Sequence, residues 1–245
     1  MMKLRLDQIL LNREMVKDEN EARALILAGK VFTDHKILSK AGEKFSQDIP
    51  LFIKSKEHNY VSRAAIKLAH GLDHFNIDPT GMVVIDVGCG TGGFTEVLLA
   101  RNADKIYAVD VGYGDFHWKL RSDPKVVLLE RTNAKYLTQE LIPDSLDLIV
   151  CDASFIGLEQ ILPSSMSLAK KNAKLLVLIK PQFEIRKDQV EKGGIVKDPN
   201  LHLEVISKIS NWLNSINWQV MGVEESPITG MKGNKEFLIA AVFVG

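Results

Sequence analysis

From residue 60 onward, apolar runs alternate with stretches of helical period. MVVIDVG (82–88), KIYAVDV (105–111), VVLLER (126–131), LDLIVCDA (146–153) and LLVLIKP (175–181) are nearly unbroken Val, Ile and Leu. FTEVLLA (94–100) and LHLEVISKISNWL (201–213) repeat at three to four residues between and after them. Strands that are apolar at every position are buried on both faces, so the pattern predicts a mostly parallel sheet with helices on each side, a doubly wound α/β domain. WQVMGVEESP (218–227) and EFLIAAVFVG (236–245) break the rhythm, because only a Gly-containing loop separates them. That pair is expected to be antiparallel.

The first sixty residues have a different character. Leu6, Ile9 and Leu10 follow helical spacing, and Asp18 with Glu21 forms an acidic capping box ahead of Ala22, Leu25, Ile26 and Leu27, with Gly29 as the stop. Short strand-like runs follow in VFT, IL and IPLFI, with DHK as a turn. KSKEHN (54–59) is polar and aperiodic. We therefore expect a small α+β unit over residues 1–58, a linker at 59–62 and the α/β unit over 63–245.

Composition narrows the class. Of 245 residues, 46% are hydrophobic and 25% charged, which suits a folded chain and not a disordered or fibrous one. Two cysteines, Cys89 and Cys151, cannot build a disulfide framework, and no apolar run nears the roughly 20 residues of a membrane span. The start, MMKLRLDQILLNRE, puts charges where a signal peptide needs an apolar stretch, so a cytoplasmic protein is expected. Lys plus Arg equals Asp plus Glu at 31 each, so a nucleic-acid partner would have to be held by local patches.

The candidate chemistry begins after the first long strand, at Asp86-Val87-Gly88-Cys89-Gly90-Thr91-Gly92-Gly93-Phe94. A glycine turn between strand and helix brings backbone close to a ligand in the crevice at the carboxyl ends of parallel strands. Asp110, followed by Val111, ends the next strand, where a carboxylate can accept both hydroxyls of a ribose. To this point a dinucleotide and S-adenosylmethionine are equally served. Three features favour the second: Asp86 lies two residues before the first glycine, where an acid can face the cationic methionine end; the terminal hairpin resembles the reversed last strand of class I methyltransferases; and no segment is left for a hydride-acceptor domain. We take Asp86, Gly88, Cys89, Gly90, Gly92, Gly93, Phe94, Asp110, Val111, Asn133 and Asp152 as candidate cofactor residues.

Four further charges fall where such a fold gathers its site: Lys67 in SRAAIKL, Asp152 after LDLIVC, Lys180 ending LLVLIK and Glu236 opening EFLIAAV. They match the K-D-K-E tetrad of FtsJ-like RNA ribose 2'-O-methyltransferases. YVSRAAIKL, DVGCGTGGFTEVLL, CDASFIGL, LIKPQFE, GGIVKDP and SPITGMKGNKEFL together resemble the TlyA branch over nearly the whole chain. RLDQILLNRE with ARALILAGKVF is similar to the S4 RNA-binding module that precedes the methyltransferase in that family.

The resemblance implies S-adenosylmethionine as cofactor, catalysis by Lys67, Asp152, Lys180 and Glu236, and cytidine 2'-hydroxyls of 16S or 23S ribosomal RNA, free or in ribosomal subunits, as substrate. It implies no membrane and no obligate protein partner, although family members are often called hemolysins. The chain departs from the pattern at Asp18-Glu19, where Ser-Arg is common, at Thr33-Asp34-His35, at Cys89-Gly90 and at Asn133, where an Asp usually meets the adenine amino group. Lys180 could take the hydroxyl proton if Lys67 and desolvation favour its neutral form, whereas the two carboxylates oppose that effect.

The rivals are a dinucleotide oxidoreductase, a membrane-active hemolysin and a catalytically silent RNA-binding protein. No metal is expected: His70 and His74 stand one helical turn apart but lack a third ligand at metal spacing. Trp212 and Trp218 read as core, Cys89 and Cys151 as buried thiols, and Arg186, Lys187, Lys192 and Lys197 as a basic loop.

Overall fold

A computed structural model describes residues 3–13, 15–33, 37–53, 60–191 and 193–245, and of Lys187 the backbone only. The chain divides into two compact units, Met1–Asn59 and Tyr60–Gly245, each with its own core. The polar stretch KSKEHN, with Asn59 of the expected linker, and most of the Thr33-Asp34-His35 turn lie outside the described residues, as does Lys192.

In the first unit, α1 (Leu6–Asn12) and α2 (Glu19–Leu27) bury Leu6, Ile9, Leu10, Ala22 and Ile26 against one another. Asp18 caps α2 by accepting the Glu21 amide at 2.8 Å, and the Glu21 carboxylate reaches back to the Lys17 amide at 2.8 Å, one residue earlier than a standard box. Gly29, at φ +64°, ends the helix in the left-handed conformation. Four short strands complete the unit: β1 (Lys3–Arg5) pairs with β3 (Lys44–Ser46) and β2 (Val31–Phe32) with β4 (Phe52–Ile53), all antiparallel. The β1–β3 pair carries no apolar run and was invisible to the hydrophobic pattern. Ile37, expected in a strand, makes only an isolated bridge to Phe32.

The second unit opens with α3 (Ala64–His74) and builds a seven-stranded sheet from β5 (Val83–Val87), β6 (Lys105–Val109), β7 (Val126–Leu129), β8 (Leu146–Cys151), β9 (Ala169–Ile179), β10 (Trp218–Glu225) and β11 (Phe237–Phe243). The spatial order is β10-β11-β9-β8-β5-β6-β7, and β11 alone runs against the other six. The helices are α4 (Gly93–Ala100), the short α5 (Trp118–Arg121), α6 (Leu158–Ile161), α7 (Pro163–Met166) and α8 (Pro181–Glu184), and the 17-residue α9 (Pro199–Ser215).

The unbroken apolar runs are explained by which way alternate residues point. Val84, Leu148, Val150, Leu176 and Leu178 enter the core beneath α3 and α4, while Ile85, Val87, Ile149, Leu175 and Val177 enter the opposite core beneath α9. Strand β9 is longer than its apolar run, because Ala169 already pairs with Leu146 across a register shift. After β7 the chain returns to the other side of β5 to form β8, so the crevice lies between the carboxyl ends of β5 and β8.

Candidate active site

The loops leaving β5 and β8 meet directly: the Asp152 amide donates to the Val87 carbonyl at 3.1 Å. Gly88 has φ +78°, and a Cβ there would stand 2.8 Å from the Ala153 Cα. Only glycine permits that approach. The result is a cleft of about 570 Å³, the size of a small-molecule site, walled by Gly88, Cys89, Gly90, Asp110, Val111 and Asn133 on one side. Lys67, Asp152, Lys180 and Glu236 wall the other side.

All four tetrad residues are thus brought together, from α3, the β8 end, the β9 end and the start of β11. The pairing is crosswise. Lys67 Nζ contacts Glu236 Oε2 at 2.6 Å and stands 3.8 Å from Asp152 Oδ1, and Lys180 Nζ contacts the same Asp152 oxygen at 2.7 Å. Lys180 Nζ also donates to the Asp152 carbonyl at 2.9 Å and the Ser154 hydroxyl at 3.0 Å. Both lysines are about 6% exposed and Glu236 is 3% exposed. Two cations and two anions cancel, which is the condition for burying so many charges together.

Two neighbours were missed in the sequence. Ser154 supplies one of the three Lys180 contacts, and Gly230 makes room for Glu236, since a Cβ at 230 would collide with Oε1 of that carboxylate. Neither lies in a periodic pattern or at a spacing that marks it. Phe155, at the cleft mouth, is 81% exposed with φ +67° and leans on Phe183 with ring centroids 5.1 Å apart. A bulky residue held in that backbone region is strained, and such strain collects at functional sites.

The cofactor candidates divide. Asp110 lines the cleft and also braces the loop, accepting from the amides of Gly90 at 2.9 Å and Gly112 at 2.7 Å. Each carboxylate oxygen keeps a second lone pair for a ligand hydroxyl. Asn133 lines the cleft too; its Oδ1 accepts the Lys135 amide at 3.0 Å and, like each Asp110 oxygen, keeps a second lone pair, while its NH2 group adds a donor.

Gly92, Gly93 and Phe94 do not wall the cleft. A Cβ on Gly92 would strike Leu120 and one on Gly93 would strike Ser62, while Phe94 is 2% exposed in the core under α4. These three pack around the start of α4, and the Phe94 ring turns inward on its first turn instead of walling the cleft. Asp86 also sits behind the cleft wall, fully buried. Its Oδ2 accepts the Thr95 hydroxyl at 2.7 Å and its Oδ1 has no partner. Burial, with the negative charge of Asp152 adding and the Thr95 bond opposing, pushes its carboxyl up to about 7. An orphaned acid oxygen under a glycine cradle, with a free-edged carboxylate at Asp110, fits a ligand carrying both a cationic end and a ribose.

The remaining candidates resolve simply. Cys89 and Cys151 are buried free thiols, and burial pushes both up, Cys151 to about 12, so neither is a nucleophile. Trp218 is core and Trp212 packs against it. In the basic loop, Arg186 pairs with Asp188 at 2.9 Å and Lys197 with Glu191 at 2.8 Å, so two of its cations are already neutralised locally. The expectation that His70 and His74 lack a third ligand is overturned: Glu224 of β10 brings its carboxylate to both. Among the described residues no helix is long and apolar enough to cross a membrane.

Comparison with known proteins agrees with this geometry. The FtsJ-like methyltransferase family model matches residues 60–243. The 16S/23S rRNA (cytidine-2'-O)-methyltransferase TlyA of Mycobacterium tuberculosis is 42% identical over 236 residues, covering 96% of this chain and 88% of that protein. A solved structure from Streptococcus thermophilus, provisionally designated a hemolysin, is 33% identical with a TM-score of 0.78 and covers 100% of this chain and 90% of its own. In fold alone, an S-adenosylmethionine-dependent methyltransferase from Aquifex aeolicus also matches, at 23% identity and a TM-score of 0.52, over 77% of this chain and 96% of that one. A doubly wound sheet with one reversed strand, a glycine cradle facing a lysine and carboxylate tetrad, and these relatives lead to one conclusion: the chain belongs to the FtsJ-like methyltransferases, in their TlyA branch.

Proposed function

We propose that the chain methylates the 2'-hydroxyl of a cytidine ribose in ribosomal RNA, with the α/β unit carrying the chemistry and the S4-like unit over residues 1–58 helping to hold the RNA. The observation that supports this most is the convergence of Lys67, Asp152, Lys180 and Glu236 on one cleft wall opposite Gly88 and Asp110. S-adenosylmethionine supplies a methyl group activated by its sulfonium. Gly88, Gly90 and Asp110 hold the donor, with the Asp86 acid behind them and the Asn133 amide at the far side.

A ribose hydroxyl is a poor nucleophile until its proton is given somewhere to go, so alignment and one proton transfer are what the protein must provide. Lys180 Nζ would be the atom that takes the hydroxyl proton as the methyl group is transferred. Asp152 and Ser154 aim that nitrogen; the Lys67–Glu236 pair holds a second positive charge beside the developing oxyanion. Phe155 offers an exposed ring on which a base can stack. Acting on ribosomal RNA, the protein would work in the cytoplasm.

The test combines two measurements. Ribose methylation mapped across 16S and 23S RNA from cells with and without the protein should differ at one or a few cytidines. In single-turnover assays, Lys180→Ala should lower the rate by about 10² to 10⁴-fold while cofactor binding persists. Lys180→Arg should be nearly as slow, because guanidinium does not give up a proton to become a base. An Arg variant that keeps the normal rate would eliminate Lys180 as proton acceptor and leave it only a positioned charge.

A further inference from the structure

On the flank of the sheet away from the methyl-transfer cleft, α3 and β10 bring together His70, His74 and Glu224. The two histidines are four residues apart on one helix, so their rings share a face, with centroids 5.9 Å apart. Glu224 comes from a strand 150 residues later. His70 Nε2 lies 3.4 Å from one of its carboxylate oxygens and His74 Nε2 lies 3.8 Å from the other. One donor atom from each residue falls within 4.8 Å of the others.

Tetrahedral zinc with bonds of about 2.0–2.1 Å separates its ligand atoms by about 3.4 Å; the His70–Glu224 pair already stands at 3.4 Å and the His74–Glu224 pair at 3.8 Å, so small side-chain rotations would close the set around an ion. His70 Nε2 is cut off from solvent and makes no hydrogen bond, a cost that a ligand on that nitrogen would remove. His74 is steadied by an edge contact with Phe75, with ring centroids 4.7 Å apart. Two imidazoles and one carboxylate form a donor set suited to zinc-class divalent ions and poorly suited to magnesium or calcium, which prefer oxygen alone.

We propose that His70, His74 and Glu224 form a binding site for a divalent transition metal of the zinc class, separate from the methyl-transfer site, with a fourth position left to water. The ion staples α3 to β10. Helix α3 carries Lys67 one turn before His70, and β10 is hydrogen-bonded to β11, whose first residue follows Glu236, so the staple joins the helix of Lys67 to the strand beside the one that Glu236 leads. No other cluster of three such ligands occurs among the described residues, which makes the site separable by mutation.

The experiment uses the full chain, freed of any histidine tag, with cobalt(II) as a coloured stand-in and zinc as competitor. Expected are one equivalent of cobalt bound with the intense visible absorption of a four-coordinate ion, its displacement by zinc, and an unfolding midpoint raised by about 5–10 °C at zinc concentrations a hundredfold above the dissociation constant. His74→Gln and Glu224→Gln, both at part-exposed positions, should each weaken binding by more than about 100-fold while leaving the metal-free midpoint close to that of the parent. The proposal is overturned if the parent gives no four-coordinate spectrum, or if the spectrum and the zinc-induced rise survive in both variants.

Discussion

Asp86→Asn offers the most direct test of how the cofactor loop is built. In the folded chain the Asp86 carboxyl titrates near 7 against an ordinary 3.8 because it is wholly buried and faces the charge of Asp152. Between those values the folded protein keeps a proton that the unfolded chain releases, so this residue makes stability fall as pH rises, and the full penalty stands above pH 7. A gap of about 3 pK units corresponds to about 4 kcal/mol at most, with about 1.5 kcal/mol already present at pH 5. Asparagine resembles the protonated acid in shape and can still accept from the Thr95 hydroxyl. The variant should therefore gain about 2 to 3 kcal/mol more over the parent at pH 8 than at pH 5, read from urea unfolding of the α/β unit at both pH values. Cofactor affinity, measured by calorimetry, should fall in the same variant, because a carboxylate kept at such cost is kept for a cationic ligand. A stability difference that stays flat with pH, or one that shrinks toward pH 8, would refute the reasoning.

Three further outcomes can be checked with standard assays. Asp110→Ala should weaken S-adenosylmethionine binding by about 1 to 3 kcal/mol, since a charged acceptor and the brace on the Gly90 and Gly112 amides go together; an unchanged dissociation constant would mean that the carboxylate does not meet the ribose. Gly230→Ala keeps an ordinary backbone conformation (φ −75°) but drives a methyl into the Glu236 carboxylate, so methyl transfer should collapse and stability drop by about 1 to 3 kcal/mol, whereas normal turnover would show that Glu236 can move without consequence. Glu19→Arg removes the partner that holds Arg23 at 3.0 Å and exchanges an exposed acid for a cation, so RNA binding should tighten and become steeper in salt; no change in a filter-binding assay would place α2 away from the RNA.

What the sequence made legible follows from where information is local. Strands β5, β8 and the second half of β9 stand out because burial on both faces leaves long apolar runs, and Asp152 and Lys180 stand out because each terminates such a run. The glycine loop was legible as a loop, yet its pattern does not say which side chains face the crevice, and the Phe94 ring turns into the core. Strand β1 is three residues, two of them cationic, whose only reason to be extended is its partner forty residues on. Glu224 is one acid in an exposed stretch, and nothing near it in the chain reveals that two histidines wait across the sheet. Ser154 and Gly230 matter through what they touch, which no local spacing encodes.

The position of β11 bears on how the molecule is made. Residues 237–243, the last strand in chain order, do not lie at the margin of the sheet but are inserted between β9 and β10, with five of the seven buried. During synthesis β10 therefore has no neighbour to pair with until the ribosome releases the segment that follows it, and the edge of β9 stays open for the same interval. Glu236 leads that strand, so the Lys67 ammonium lacks its 2.6 Å partner until the same moment. The catalytic tetrad and the seven-stranded sheet are completed by one late event, and a chain that stops short of Glu236 forfeits both at once.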